Sequence, residues 1–148
     1  MLPQTPNLNF GFGLQGVKMG TVFELNRRGT FTLDTARDLL PLVYKITSEI
    51  DEELQVLKSQ LACAVEQKNA ERSASLETEA AALVERWESK LLKLGVSPKG
   101  LWLVDFDMGQ GFFCWKYPEL DIKFWHGYND GFSGRKRIED KPQSEPLL

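Results

Sequence analysis

"GLWLVDFDMGQGFFCWKYPELDIKFWH", residues 100–126, holds three aromatic and β-branched runs separated by two short breaks. "GLWLVDF" (100–106), "GFFCWKY" (111–117) and "DIKFWH" (121–126) have the composition of half-buried strands, and "DMGQ" and "PEL" that of turns. The pattern predicts a three-stranded antiparallel β-meander. A four-residue first loop sets Val104 opposite Phe113 and Trp102 opposite Trp115, with Leu103 beside Cys114 on the other face. Both faces then carry apolar groups.

The segment before the meander changes period. Ala36, Leu40, Val43, Ile46, Ile50, Leu54, Leu57, Leu61 and Val65 recur at three- and four-residue steps, the signature of one long amphipathic helix. Thr32 is its natural N-cap and Asp34 suits the positive first turn. Pro41, about two turns in, deletes one intrahelical hydrogen bond and is expected to kink the helix. The stripe lapses over "EQKNAERSA" (66–74) and resumes with Leu76, Ala80, Leu83, Trp87, Leu91 and Leu94, before Gly95 reads as a left-handed C-terminal cap. A lapse and a resumption fit an antiparallel helical hairpin, although the lapse contains neither Gly nor Pro; a continuous helix paired with a second chain is the alternative.

The fold class is therefore α+β, a long antiparallel helical hairpin followed by a three-stranded meander. A chain of 148 residues, 42% hydrophobic and 26% charged, suits one domain, expected over residues 31–138. Residues 1–30 form an N-terminal extension in which "TVFEL" (21–25) is expected to add an edge strand, and residues 139–148 a polar tail expected to fray. The hairpin covers only one sheet face, so the aromatic other face is expected to meet the N-terminal segment, the C-terminal tail, a ligand, a protein partner or a second copy in a homodimer.

Composition narrows the function classes. A net charge of −3 speaks against a nucleic-acid binder, and the chain has neither an 18-residue apolar run nor a signal-peptide pattern, so a cytoplasmic protein without a membrane span is expected. Cys63 and Cys114 lack CxxC spacing and read as reduced, small hydrophobic residues. No motif calls for a cofactor, and one histidine with two separated cysteines does not make a metal-ligand pattern.

The chemistry concentrates in "FWHGYNDGFSGR" (124–135). His126 is the sharpest candidate, as a proton exchanger near neutral pH or a metal ligand, with Asp105, Glu119, Asp130 and Arg135 as its available partners. A four-residue second loop puts His126 on the face away from Asp105, and a three-residue bulged loop puts it beside Asp105 and Cys114; the bland alternative is a strand-end histidine bonded to backbone. Arg135 suits either an anion or the free carbonyls ending the second helix, and Gly131 is expected at positive φ ahead of a core-inserted Phe132. Trp102, Trp115, Trp125, His126 and Arg135 make up the candidate ligand-binding set. The function expected is a small interaction or ligand-binding module. The alternative is a metal-dependent or His-based hydrolase with His126, Asp130 and Glu119 as its catalytic candidates.

With those motifs in that order, the chain resembles the uncharacterised bacterial domain-of-unknown-function family 2203. The resemblance rests on "FTLDTARDLLPLVYKI" (31–46), "LVDF" (103–106), "CW" (114–115) and "FWHGYNDGFSGR" (124–135). It implies a helical hairpin followed by a small sheet, and no activity. Where the family tends to place two aspartates after its tryptophan–histidine pair, this chain has Gly127 and Asn129, leaving Asp130 as the nearby acid.

Overall fold

The computed structural model describes residues 29–140. The chain enters at Phe31, whose amide donates to the Asp107 carbonyl and whose ring meets Phe106 edge-on. It then forms α1 (Leu33–Glu66) and α2 (Ala70–Lys93). Thr32 caps α1 as its residue type predicts: its hydroxyl accepts from the Thr35 amide, while the Thr35 hydroxyl accepts from the Thr32 amide. Pro41 lies within α1.

The hairpin turn solves the missing-glycine problem with other residues. Lys68 takes a positive φ of 56°, and the Asn69 side chain accepts from the Arg72 amide to cap α2. α2 is capped by Leu94 and followed by Gly95, left-handed at φ 86° as expected of a glycine that stops a helix. Between the helices Trp87 Nε1 donates to Thr47 Oγ1 at 2.8 Å, and Thr47 donates in turn to the Val43 carbonyl. This satisfies the polar atoms of a fully buried indole.

The sheet is antiparallel, with five strands in sequential order: β1 (Ser97–Gly100), β2 (Leu103–Asp107), β3 (Phe112–Lys116), β4 (Phe124–His126) and β5 (Lys136–Arg137). Three of these correspond to the expected meander and two enlarge it. The run expected as one strand over 100–106 is divided, because the chain reverses at Leu101–Trp102 and Gly100 pairs with Leu103. A turn built from two large apolar residues leaves no turn signal in the sequence. β5 is a two-residue rung against β4. The edge strand expected at 21–25, most of the extension at 1–30 and most of the tail at 139–148 lie outside the described residues.

The β2–β3 register differs by two from the expected one: Val104 pairs with Trp115 and Phe106 with Phe113. The loop does have four residues, but they are 108–111, closed by the Met108 amide on the Gly111 carbonyl. Moving the loop one position along the chain moves the register by two. An even shift leaves every side chain on its predicted face.

The inner face, with Val104, Phe106, Phe113 and Trp115, is sealed by Leu39, Leu40, Val43, Ile50, Trp87 and Leu91 of the helices. The outer face carries Leu103, Asp105, Phe112, Cys114, Phe124 and His126, and it is less apolar than the sequence pattern implies.

Candidate functional site

β3 and β4 pair Phe112 with His126 and Cys114 with Phe124, which puts His126 on the outer face with Asp105 and Cys114. Of the two arrangements left open by the sequence, this is the one beside Asp105. His126 reaches across β3 to β2, where Nε2 lies 3.1 Å from Asp105 Oδ1. Nδ1 lies 2.9 Å from the carbonyl of Gly127. The backbone bond of the bland reading and the carboxylate partner of the sharp one are thus both present on one ring.

The two contacts together constrain the chemistry. A carbonyl only accepts, so Nδ1 carries a hydrogen, and a neutral imidazole then turns the Nε2 lone pair toward a carboxylate oxygen. Two electron-rich atoms at that distance need a cation between them, either a proton or a metal ion. The neighbouring Cys114 completes a cluster. Its sulfur, an Asp105 oxygen and a His126 ring nitrogen all lie within 4.8 Å of one another, and the three residues are 2–4% exposed. Positions 105, 114 and 126 have no metal-motif spacing, because adjacent strands bring them together. The sequence therefore offered the grouping only as one of two loop-dependent arrangements, and not as a set of metal ligands.

Burial, followed by the charge of Asp105, pushes the Cys114 thiol pKa up from 9.0 to about 12, against the opposing pull of Arg135. A thiol held protonated is a poor nucleophile. His126 cannot activate it as in a Cys–His–Asp triad either, since both ring nitrogens face oxygen. These three groups suit ligation or proton transfer, not thiol attack.

They lie along a cleft of about 360 Å³ that is also lined by Lys99, Leu103, Phe112, Tyr128, Asp130, Gly131 and Phe132. Residues 127–135 form one of its walls, and the interactions that hold them differ from those expected. Asp130 is no partner of His126: its Oδ2 accepts the Gly127 amide, so it tethers the residue whose carbonyl, in the next peptide, meets Nδ1. A side chain at Gly127 would approach that same oxygen to 2.9 Å, so glycine suits the position this carboxylate occupies. Tyr128 donates to Asp107 at 2.7 Å, and this bond raises the phenol pKa.

Arg135 does not reach the carbonyls ending α2. Its guanidinium bonds Glu119 at 2.8 and 3.3 Å and stacks on Phe124 and Phe132, 3.9 and 4.4 Å from their centroids. Burial opposes its charge, but the Glu119 bonds and charge outweigh burial and raise the guanidinium pKa. Glu119 also accepts the Lys116 amide. It is thus committed to the loop and does not meet His126. Gly131 has φ −92°, not a positive value, and Phe132 is 39% exposed, because the 3₁₀ turn at Phe132–Gly134 lays its ring under Arg135 instead of into the core.

The tryptophans sit elsewhere. Trp115 is sealed in the core with Nε1 donating to the Glu119 carbonyl. Trp102 packs edge-on against Trp87 and donates to Asp51, and Trp125 pairs with Phe113 with Lys136 over its ring. Their ring area is mostly spent on the helical layer, while the cleft takes its aromatic walls from Phe112, Tyr128 and Phe132. Parity arguments from a correct second loop would have found Phe112; only the loop path identifies the other two.

Fold and site together define an α+β domain, a helical hairpin packed on an antiparallel sheet, with a buried Asp–Cys–His cluster on the face the helices leave uncovered. The chain belongs to the uncharacterized conserved protein family DUF2203, whose profile matches residues 29–138. No curated protein and no solved structure matches it. Among the described residues no helix is long and apolar enough to cross a membrane.

Proposed function

We propose that this protein is a small-molecule binding module whose ligand enters the outer-face cleft. The observation that carries this reading is the set of ionisable side chains, Asp105, Cys114 and His126, each more than nine-tenths buried yet lining an open cleft. Buried polar groups normally lie inside a sealed, satisfied network; grouped at a cleft of ligand size, with apolar walls and a polar rim of Lys99, Tyr128 and Asp130, they suit recognition. The test is an amide NMR titration with a fragment set of small aromatic acids, amines and phosphates. Saturable shifts should appear at Lys99, Asp105, Phe112, Cys114 and His126 and vanish in Leu103→Trp, which fills one wall. Shifts that persist in that variant, or none at millimolar fragment, would remove the reading.

The His126–Asp105 contact favours a second reading, a hydrolase using His126 as base or metal ligand, now with Asp105 in place of Asp130 or Glu119. Ester or phosphoester turnover abolished by His126→Gln would support it. A cytoplasmic location accords with the free thiols of Cys63 and Cys114. A homodimer or protein partner would cover the exposed Leu101, Leu120, Tyr128 and Phe132. Sedimentation as a strict monomer at about the micromolar concentrations of ordinary specific complexes would exclude the homodimer.

A further inference from the structure

We infer that Asp105, Cys114 and His126 form a mononuclear site for a divalent transition metal of the zinc class, with its fourth coordination position turned into the cleft. This rests on the cleft being a binding site and names the cofactor at its floor.

Geometry is the first support. Zinc takes nitrogen or carboxylate oxygen at about 2.0–2.2 Å and thiolate sulfur at about 2.3 Å, so tetrahedral geometry places its ligand atoms roughly 3.3–3.6 Å apart. Nε2 and the Asp105 oxygen are already 3.1 Å apart, and all three donor atoms fall within 4.8 Å. A shift of about an ångström in one side chain closes the set around an ion, well within rotamer adjustment.

The second support is orientation. A ligating histidine normally donates its other ring hydrogen to a carbonyl or carboxylate, which fixes the tautomer and aims the lone pair. His126 does so through Nδ1 to the Gly127 carbonyl, and Asp130 holds the same residue through its amide, in the preceding peptide. Gly111 permits the close packing behind it, since a Cβ there would stand 2.5 Å from the His126 carbonyl oxygen. The ring is thus positioned from behind, with Nε2 left for an ion.

Donor chemistry selects the class of metal. One thiolate, one imidazole and one carboxylate disfavour magnesium and calcium, which prefer oxygen, and suit zinc or its neighbours in the first transition row. The two anionic ligands neutralise a divalent ion. On binding, the thiol proton and the proton between His126 and Asp105 leave to solvent and the ion takes their place. Three protein ligands beside an open cleft describe a centre that accepts water or an exogenous ligand, not a closed structural site.

Cobalt(II) added to the chelator-stripped full chain tests this directly. The expected result is one bound ion per chain, with the strong visible bands of four-coordinate cobalt and a near-ultraviolet thiolate-to-cobalt transition. Cys114→Ser should abolish that transition and Cys63→Ser, on the exposed face of α1, should leave it unchanged. His126→Gln and Asp105→Asn should each weaken binding by about tenfold or more.

X-ray absorption of the zinc-loaded parent gives a reading that does not depend on any variant folding. It should show one sulfur at about 2.3 Å and the remaining scatterers at about 2.0–2.2 Å. A parent that binds no cobalt, a zinc shell without sulfur, or a thiolate transition that follows Cys63 overturns the inference. Azide added to the cobalt protein separates this result from the cleft reading. A spectrum that azide does not alter leaves the metal in place but closed to ligands, whereas fragments binding a cleft that takes no metal leave the cleft without its ion.

Discussion

Arg135→Ala is the substitution that most directly asks what holds the cleft wall in place. The guanidinium makes two charge-assisted bonds to Glu119 and stacks on the rings of Phe124 and Phe132. Hydrogen bonds to charged groups contribute about 1.5–3 kcal/mol, and each cation–π contact about 0.5–1 kcal/mol where solvent reaches it. The Arg135 and Glu119 side chains keep 16% and 28% exposure, which discounts the ionic part, and Glu119 retains the Lys116 amide after truncation. The expected loss is about 2–4 kcal/mol, read as a lowered urea midpoint at unchanged slope. Arg135→Lys keeps the charge but not the planar fork, and should lose roughly half as much. A cycle with Glu119→Gln should return a coupling of about 1–2 kcal/mol. Native-state amide exchange adds a local readout, with Gly127–Arg135 accelerating in Arg135→Ala beyond the global change. If Arg135→Ala falls within about 0.5 kcal/mol of the parent, or the cycle shows no coupling, the pair does not hold the loop and the argument fails.

Thr47→Val should cost about 1–3 kcal/mol although it preserves shape, since it leaves the buried Trp87 N–H without its acceptor; a urea midpoint equal to the parent's would refute this. Gly111→Ala should destabilise by about 1–3 kcal/mol, because the position combines φ +152° with a 2.5 Å approach to the His126 carbonyl, whereas Gly131→Ala, at φ −92° with open space around it, should leave the melting temperature nearly unchanged. Iodoacetamide on the native, metal-free protein should label Cys63 and spare Cys114, as peptide mass spectrometry would show. The Cys114 thiol pKa lies above its ordinary 9.0, so the unfolded chain releases that proton first. The resulting stabilisation is complete below pH 9.0 and is lost as pH rises toward 12, more steeply in the parent than in Cys114→Ala.

Local chemistry made much of the architecture legible. The helical stripes, the Thr32 cap and the Gly95 cap depend on neighbours three or four residues away, so both helices could be read without knowing what they pack against. The strand faces were equally local. Alternation set Val104, Phe113 and Trp115 against Leu103 and Cys114, and a two-residue error in register could not disturb that division. What alternation could not supply was where the chain reverses. The Leu101–Trp102 turn has no turn residues, and the connection from β3 to β4 carries the choice of face for His126.

The sequence left the membership of the site open between two arrangements, and tertiary structure chose one. Asp105, Cys114 and His126 are far apart along the chain and become neighbours only because three strands lie side by side in one register. The acids that looked closest in sequence were diverted: Asp130 to the Gly127 amide and Glu119 to Arg135. Backbone amides and Arg135 take up those carboxylates, while His126 bonds Asp105. The sequence by itself determined which residues could share a face, because side-chain alternation is a property of each strand. Which of them meet at 3.1 Å depends on loop lengths and strand order, quantities that exist only once the sheet has formed.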